Sequence, residues 1–198
     1  MRRHTPVLAA GALLGLGIGM AGVANGRADD KDKNPAIEPI LKLAETLKKD
    51  PAAGKKEAEA LAKKLDFEDV MHVFKPRAKG GVGFDKDVDA KKDGIETKLL
   101  DMVKPKPAVP LDKDIKAKAA DYARMTEVIQ AVTEVTQFVP APKGMNGKGP
   151  KDWKQYIEES KKGAKELADA VKSGDPAKVK TAANNLNSAC NNCHTDFR

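Results

Sequence analysis

Both cysteines of the chain, Cys190 and Cys193, stand three residues apart, and His194 directly follows the second. The run C-x-x-C-H has the spacing of a covalent haem attachment site. On a helix, positions i and i+3 lie on one face. Two thiols placed this way can add to the two vinyl groups of one porphyrin. The histidine beside them then supplies an axial imidazole to the iron. Cys190 and Cys193 are therefore the expected attachment points of a haem c, and His194 the expected iron ligand.

Other uses of the triplet fit less well. Zinc takes four N, S or O ligands, yet beyond the motif the chain past residue 28 offers only His72 as a histidine and no second C-x-x-C. A thioredoxin-type dithiol wants a βαβ setting with the motif opening a helix, and here it lies deep in a helical pattern. A disulfide across i and i+3 of one helix is geometrically poor.

That pattern is the last of several. Val179, Ala182, Leu186, Ala189, Cys193 and Phe197 recur at intervals of three and four, which predicts a helix with Cys193 on its buried stripe. Trp153, Ile157, Ala164, Leu167 and Val171 predict the helix before it, and Ser173-Gly174-Asp175-Pro176 the tight turn between the two. The longest pattern runs over 112–139, where Tyr122, Met125, Ile129 and Val132 form one stripe beside Val128, Val135 and Val139.

Nearer the start, Ile37, Ile40, Leu41, Ala44 and Leu47 predict a short helix ending near Asp50. Asp50-Pro51 has the form of an N-cap followed by proline at the first helical position. The helix it opens is expected to continue through Ala58, Leu61, Leu65 and Val70 to Phe74. Residues 75–94 read as loop-like, 95–103 as a short helix, and 104–110 and 140–150 as Pro/Gly-rich connectors. No alternating strand pattern competes. The expected fold class is all-α, an antiparallel four-helix bundle with an extra N-terminal helix and a Gly/Pro-rich insert.

The N-terminus reads as an export signal. Arg2 and Arg3 precede an apolar, Gly-rich core over 7–20, and small residues follow at Ala24, Gly26 and Ala28. The stretch 7–24 is also just long enough to span a membrane if left uncleaved. We take 1–28 as a signal peptide and 29–198 as a haem-binding helical domain in the periplasm. Removing 1–28 takes away three arginines, so Lys+Arg falls from 36 to 33 against 29 acids, a net charge of +4. Lysines and acids interleave without the concentrated basic face a nucleic-acid binder needs. The charge leaves at most a bias toward an acidic partner.

The segment SGDPAKVKTAANNLNSACNNCHTDFR resembles the last helix of the cytochrome c′ and cytochrome c-556 family, which carries C-x-x-C-H near the chain end with an aromatic residue and an arginine after it. Residues 153–171 are similar to the preceding helix of that family and 112–139 more loosely so, whereas 30–110 depart from it. The resemblance implies a four-helix bundle around one haem. It also implies a role for Arg198, four residues past His194, beside the propionates on the proximal face. Family members often dimerise through their first helices, the region where this chain differs most.

The sixth iron position separates two functions. A Met or His ligand makes an electron carrier, which requires a redox partner protein; an open or apolar-capped site makes a five-coordinate protein that binds NO or CO. Met71 and His72 are the leading ligands by sequence: His72 is the sole histidine past residue 28 outside the motif, and Met71 is similar to the first-helix methionine of the c-556 type. Met125 sits on a core stripe, while Met102 and Met145 sit near breakers. No distal acid/base pair for an enzyme such as a peroxidase is evident, so no catalysis is expected. Residues 85–96 imitate a calcium loop, but Ala90 stands where its glycine belongs, and a solvated loop is the expectation.

Overall fold

The computed structural model describes residues 34–105 and 110–197, so the expected export signal over 1–28 and Arg198 lie outside the described residues. Two helix starts are set by the same local chemistry. The Asp50 carboxylate accepts from the N–H groups of Ala52 and Ala53, both at 3.0 Å, and Asp175 accepts from Ala177 at 2.9 Å and Lys178 at 3.2 Å. Proline follows each aspartate at a position whose N–H would lack a partner anyway. Each cap is worth about 1 kcal/mol.

The helices are α1 (Ile37–Lys49), α2 (Pro51–Ala62), α3 (Phe67–His72), α4 (Ile95–Val103), α5 (Leu111–Ala117), α6 (Ala119–Thr136), α7 (Pro150–Ser173) and α8 (Pro176–Asp196), with a 3-10 turn at Arg77–Lys79. Among the described residues there is no strand. The fold is an all-α helical bundle. α6 packs against α1, α2 and α7, and α8 packs against α7 and α4. The stripe expected on α6 is the core: Tyr122, Met125, Val128, Ile129, Val132 and Val135 are all buried.

Three expectations are corrected. The helix opened by Pro51 stops at Ala62; Asp66 is extended at ψ 138°, and α3 starts anew at Phe67. The helix expected over 112–139 is interrupted at Lys118, where φ −119° and ψ 32° separate α5 from α6, and its last turn ends at Thr136.

The third concerns the solvated loop expected over 85–96 within the loop-like stretch 75–94: its middle is largely exposed, but Asp85 and residues 93–95 are buried and tie it to the fold. The fully buried Asp93 carboxylate accepts from the Arg77 backbone N–H at 3.0 Å and from its guanidinium, which also donates to the carbonyls of Asp85, Lys86 and Val88. Gly83, at φ 70°, leaves room for this pair, because a Cβ there would stand 2.5 Å from Asp93 Oδ2. Lys118 pairs with Asp85 at 2.6 Å, and Lys98 pairs with Asp114 while lying over the rings of Phe84 and Tyr122. Among the described residues no three His, Cys, Asp or Glu side chains are grouped to hold a metal ion. The acids that imitate a calcium loop are in part these ion-pair partners.

Candidate functional site

α8 is positioned by an apolar stripe and by a close approach to α7. Val179, Ala182, Ala183, Leu186 and Ala189 are buried along it. Gly174, left-handed at φ 65°, ends α7 and returns the chain directly into the Asp175 cap. The far end of α8 is clamped. Phe197 packs edge-on against Trp153, with centroids 5.3 Å apart, and against Tyr156 at 6.2 Å. Tyr156 Oη donates to Asp196 Oδ2 at 2.7 Å, and the Met145 N–H donates to the Asp196 carbonyl at 2.7 Å. Each aromatic pair adds about 0.5–1.5 kcal/mol beyond its burial.

Between that clamp and the core lies a cavity of about 240 Å³. Cys190, Cys193 and His194 line one wall from α8. α3 contributes Phe67, Met71 and Phe74; α4 contributes Ile95, Glu96, Leu99 and Leu100. α6 adds Ile129, Val132, Thr133 and Thr136, and α7 adds Trp153, Ile157 and Ser160. The walls are dominated by apolar and aromatic side chains with few polar groups, the usual character of a cofactor site.

Both thiols are free and half-buried. Burial pushes each up to about 11, reinforced at Cys190 by Cys193 and Glu96 and at Cys193 by Asp196. Both are therefore neutral thiols at ordinary pH. His194 is exposed at the cavity rim.

The sequence-derived site residues divide as follows. The structure brings Cys190, Cys193, His194 and Met71 to one cavity. It does not bring His72 there: its Nε2 lies 2.6 Å from Lys75 Nζ and 3.4 Å from Glu68, off the cavity wall. Met125 and Met102 are buried in the core, and Met145 is exposed. Arg198 lies outside the described residues.

Trp153 is a cavity residue that the sequence offered only as a packing position. Its Nε1 is buried and has no hydrogen-bond partner among the described residues, a state that costs about 1–3 kcal/mol. Its indole shares an apolar cluster with Cys193 and Phe197. Nothing in the helical period marks it; the signal was its being the only tryptophan of the chain.

A haem c fits what is present. Its ring is apolar, its vinyl groups meet two thiols on one helix face, an imidazole stands next to them, and a buried donor waits unpaired in the wall. Cys190 and Cys193 would hold the ring and His194 the iron, which supplies reversible one-electron chemistry when bound.

Comparison with known proteins agrees over this part of the chain. The family model described as cytochrome C′ matches residues 148–198. No curated protein and no solved structure matches the chain. The match spans α7, α8 and the cavity wall they share, and over residues 148–198 the chain is similar to the cytochrome c′ family.

Proposed function

We propose that the chain is an exported monohaem c-type cytochrome that carries electrons and catalyses no reaction of its own. The haem is joined to Cys190 and Cys193 with His194 as axial ligand. One observation carries the choice of electron transfer: Met71 borders the same cavity as Cys190, Cys193 and His194, and no other methionine of the described residues does. A thioether in the sixth position closes the iron to gases and favours the reduced state. His72, held by Lys75 and Glu68, has no part in this reading.

Export is supported by the charged and apolar N-terminus and by the site of c-type haem attachment outside the cytoplasm. No helix among the described residues is long and apolar enough to cross a membrane. The partner is a redox protein, with the net positive charge favouring an acidic one.

A second reading has its own observation. Phe67, Phe74 and Leu99 also border the cavity, and such an apolar cap would suit a five-coordinate iron that binds NO or CO. The electronic spectrum of the ferrous protein separates the two. A six-coordinate, low-spin form that ignores CO supports electron transfer; a high-spin form that binds CO supports the gas-binding reading.

A further inference from the structure

Two threonine hydroxyls of the cavity wall are satisfied locally: Thr133 donates to the Gln130 carbonyl at 3.0 Å and Thr136 to that of Val132 at 2.7 Å. The phenols are satisfied too, buried Tyr122 by Asp114 and half-buried Tyr156 by Asp196. Against this background, Trp153 Nε1 is the one buried side-chain nitrogen or oxygen without a partner among the described residues.

The indole is also firmly placed. It is 4% exposed and held edge-on by Phe67 at 5.5 Å and by Phe197 at 5.3 Å. Folded proteins pair nearly all their buried donors, so an exception in a cavity wall points to the occupant as the missing partner. An indole N–H only donates, and the occupant must therefore present an acceptor.

On the haem reading, on which this inference rests, the acceptor can be named by elimination. The vinyl groups are consumed by the thiols and the pyrrole nitrogens by the iron, leaving the two carboxylate side chains as the strong acceptors of the group. We propose that Trp153 Nε1 donates a hydrogen bond to a haem propionate, making Trp153 a positioning residue that orients the ring together with the two thioethers. A phenylalanine at 153 keeps an aromatic ring in the wall, with a smaller volume, and leaves the carboxylate without this donor.

The chain's single tryptophan makes the test direct. Ultraviolet resonance Raman of the haem-loaded protein reports whether the indole N–H is bonded. Redox titration across pH, for wild type and Trp153→Phe, reports the ionisation of the propionate. The expected result is a bonded indole in the wild type. In Trp153→Phe the inflection of midpoint potential against pH moves upward by about one pH unit, because the carboxylate loses a donor that favours its charged form. A haem-loaded wild type with a free indole N–H overturns the proposal while leaving the haem reading intact, and so does a bonded indole with an unmoved inflection. If Trp153→Phe fails to load haem, the wild-type indole spectrum decides. No covalently bound haem at all removes the acceptor and overturns the proposal together with the reading beneath it.

Discussion

Gly163 of α7 lies so near α8 that a methyl group in place of its hydrogen would stand 3.0 Å from Leu186 Cα. Leu186 is buried and lines the cavity one turn before Cys190. The small residue lets the two backbones approach and so sets the depth at which α8 sits. Gly163→Ala should therefore destabilise the protein by about 1–3 kcal/mol in chemical denaturation, the cost of overpacking. An exposed helical glycine would give the opposite sign, since alanine there gains about 0.5–1 kcal/mol. A stabilised variant would mean the helices have room to spare.

Met71 and His72 are neighbours with different surroundings, which makes them a paired test of the sixth ligand. Met71→Ala is expected to convert a low-spin ferrous protein that ignores CO into one that binds it. His72→Ala is expected to leave the spectrum unchanged, because His72 is off the cavity wall. Loss of the low-spin spectrum in His72→Ala alone would reverse the assignment.

The insert should make stability sensitive to acid. The Lys118 ammonium and the Asp87 N–H hold the Asp85 carboxyl below the usual carboxylate range. Burial pushes Asp114 up, but hydrogen bonds from Lys98 and Tyr122 outweigh it and leave that carboxyl low as well. Groups depressed in the folded state add stability above the unfolded carboxylate pKa, about 3.9, and lose it as pH falls through their folded values. Denaturation midpoints should thus drop below about pH 4, and Asp114→Asn should be less stable near neutrality with a flatter acid limb. An acid limb identical to that of wild type would show that Asp114 contributes nothing to it.

The helices were legible where period and punctuation agree. The short helix at Ile95–Val103 has the bounds its sequence predicts, Asp50 caps as read, and the turn expected at 173–176 lies between α7 and α8. The apolar stripe likewise placed Cys193 toward the interior, although the residue is half-buried where the rest of that stripe is buried. What stayed hidden depends on contacts between elements. The lysines and aspartates of 75–118 look like solvated surface in sequence because their partners are distant along the chain, as with Arg77 and Asp93 or Asp85 and Lys118. The break before Phe67 carries no proline or glycine, so the apolar spacing alone ran on through it. Trp153 shows the same limit, since periodicity finds the buried face but not an unpaired nitrogen within it.

Covalent attachment of one haem through Cys190 and Cys193 is read most directly from intact mass and the pyridine haemochrome spectrum of the exported protein after acid–acetone extraction. The expected result is a chain heavier by one haem that survives extraction, with the spectrum of two thioether-linked vinyl groups. Cys190→Ala or Cys193→Ala should each give a single-thioether spectrum. Haem that extracts freely from the wild type, or normal covalent loading in the double Cys→Ala variant, would contradict it.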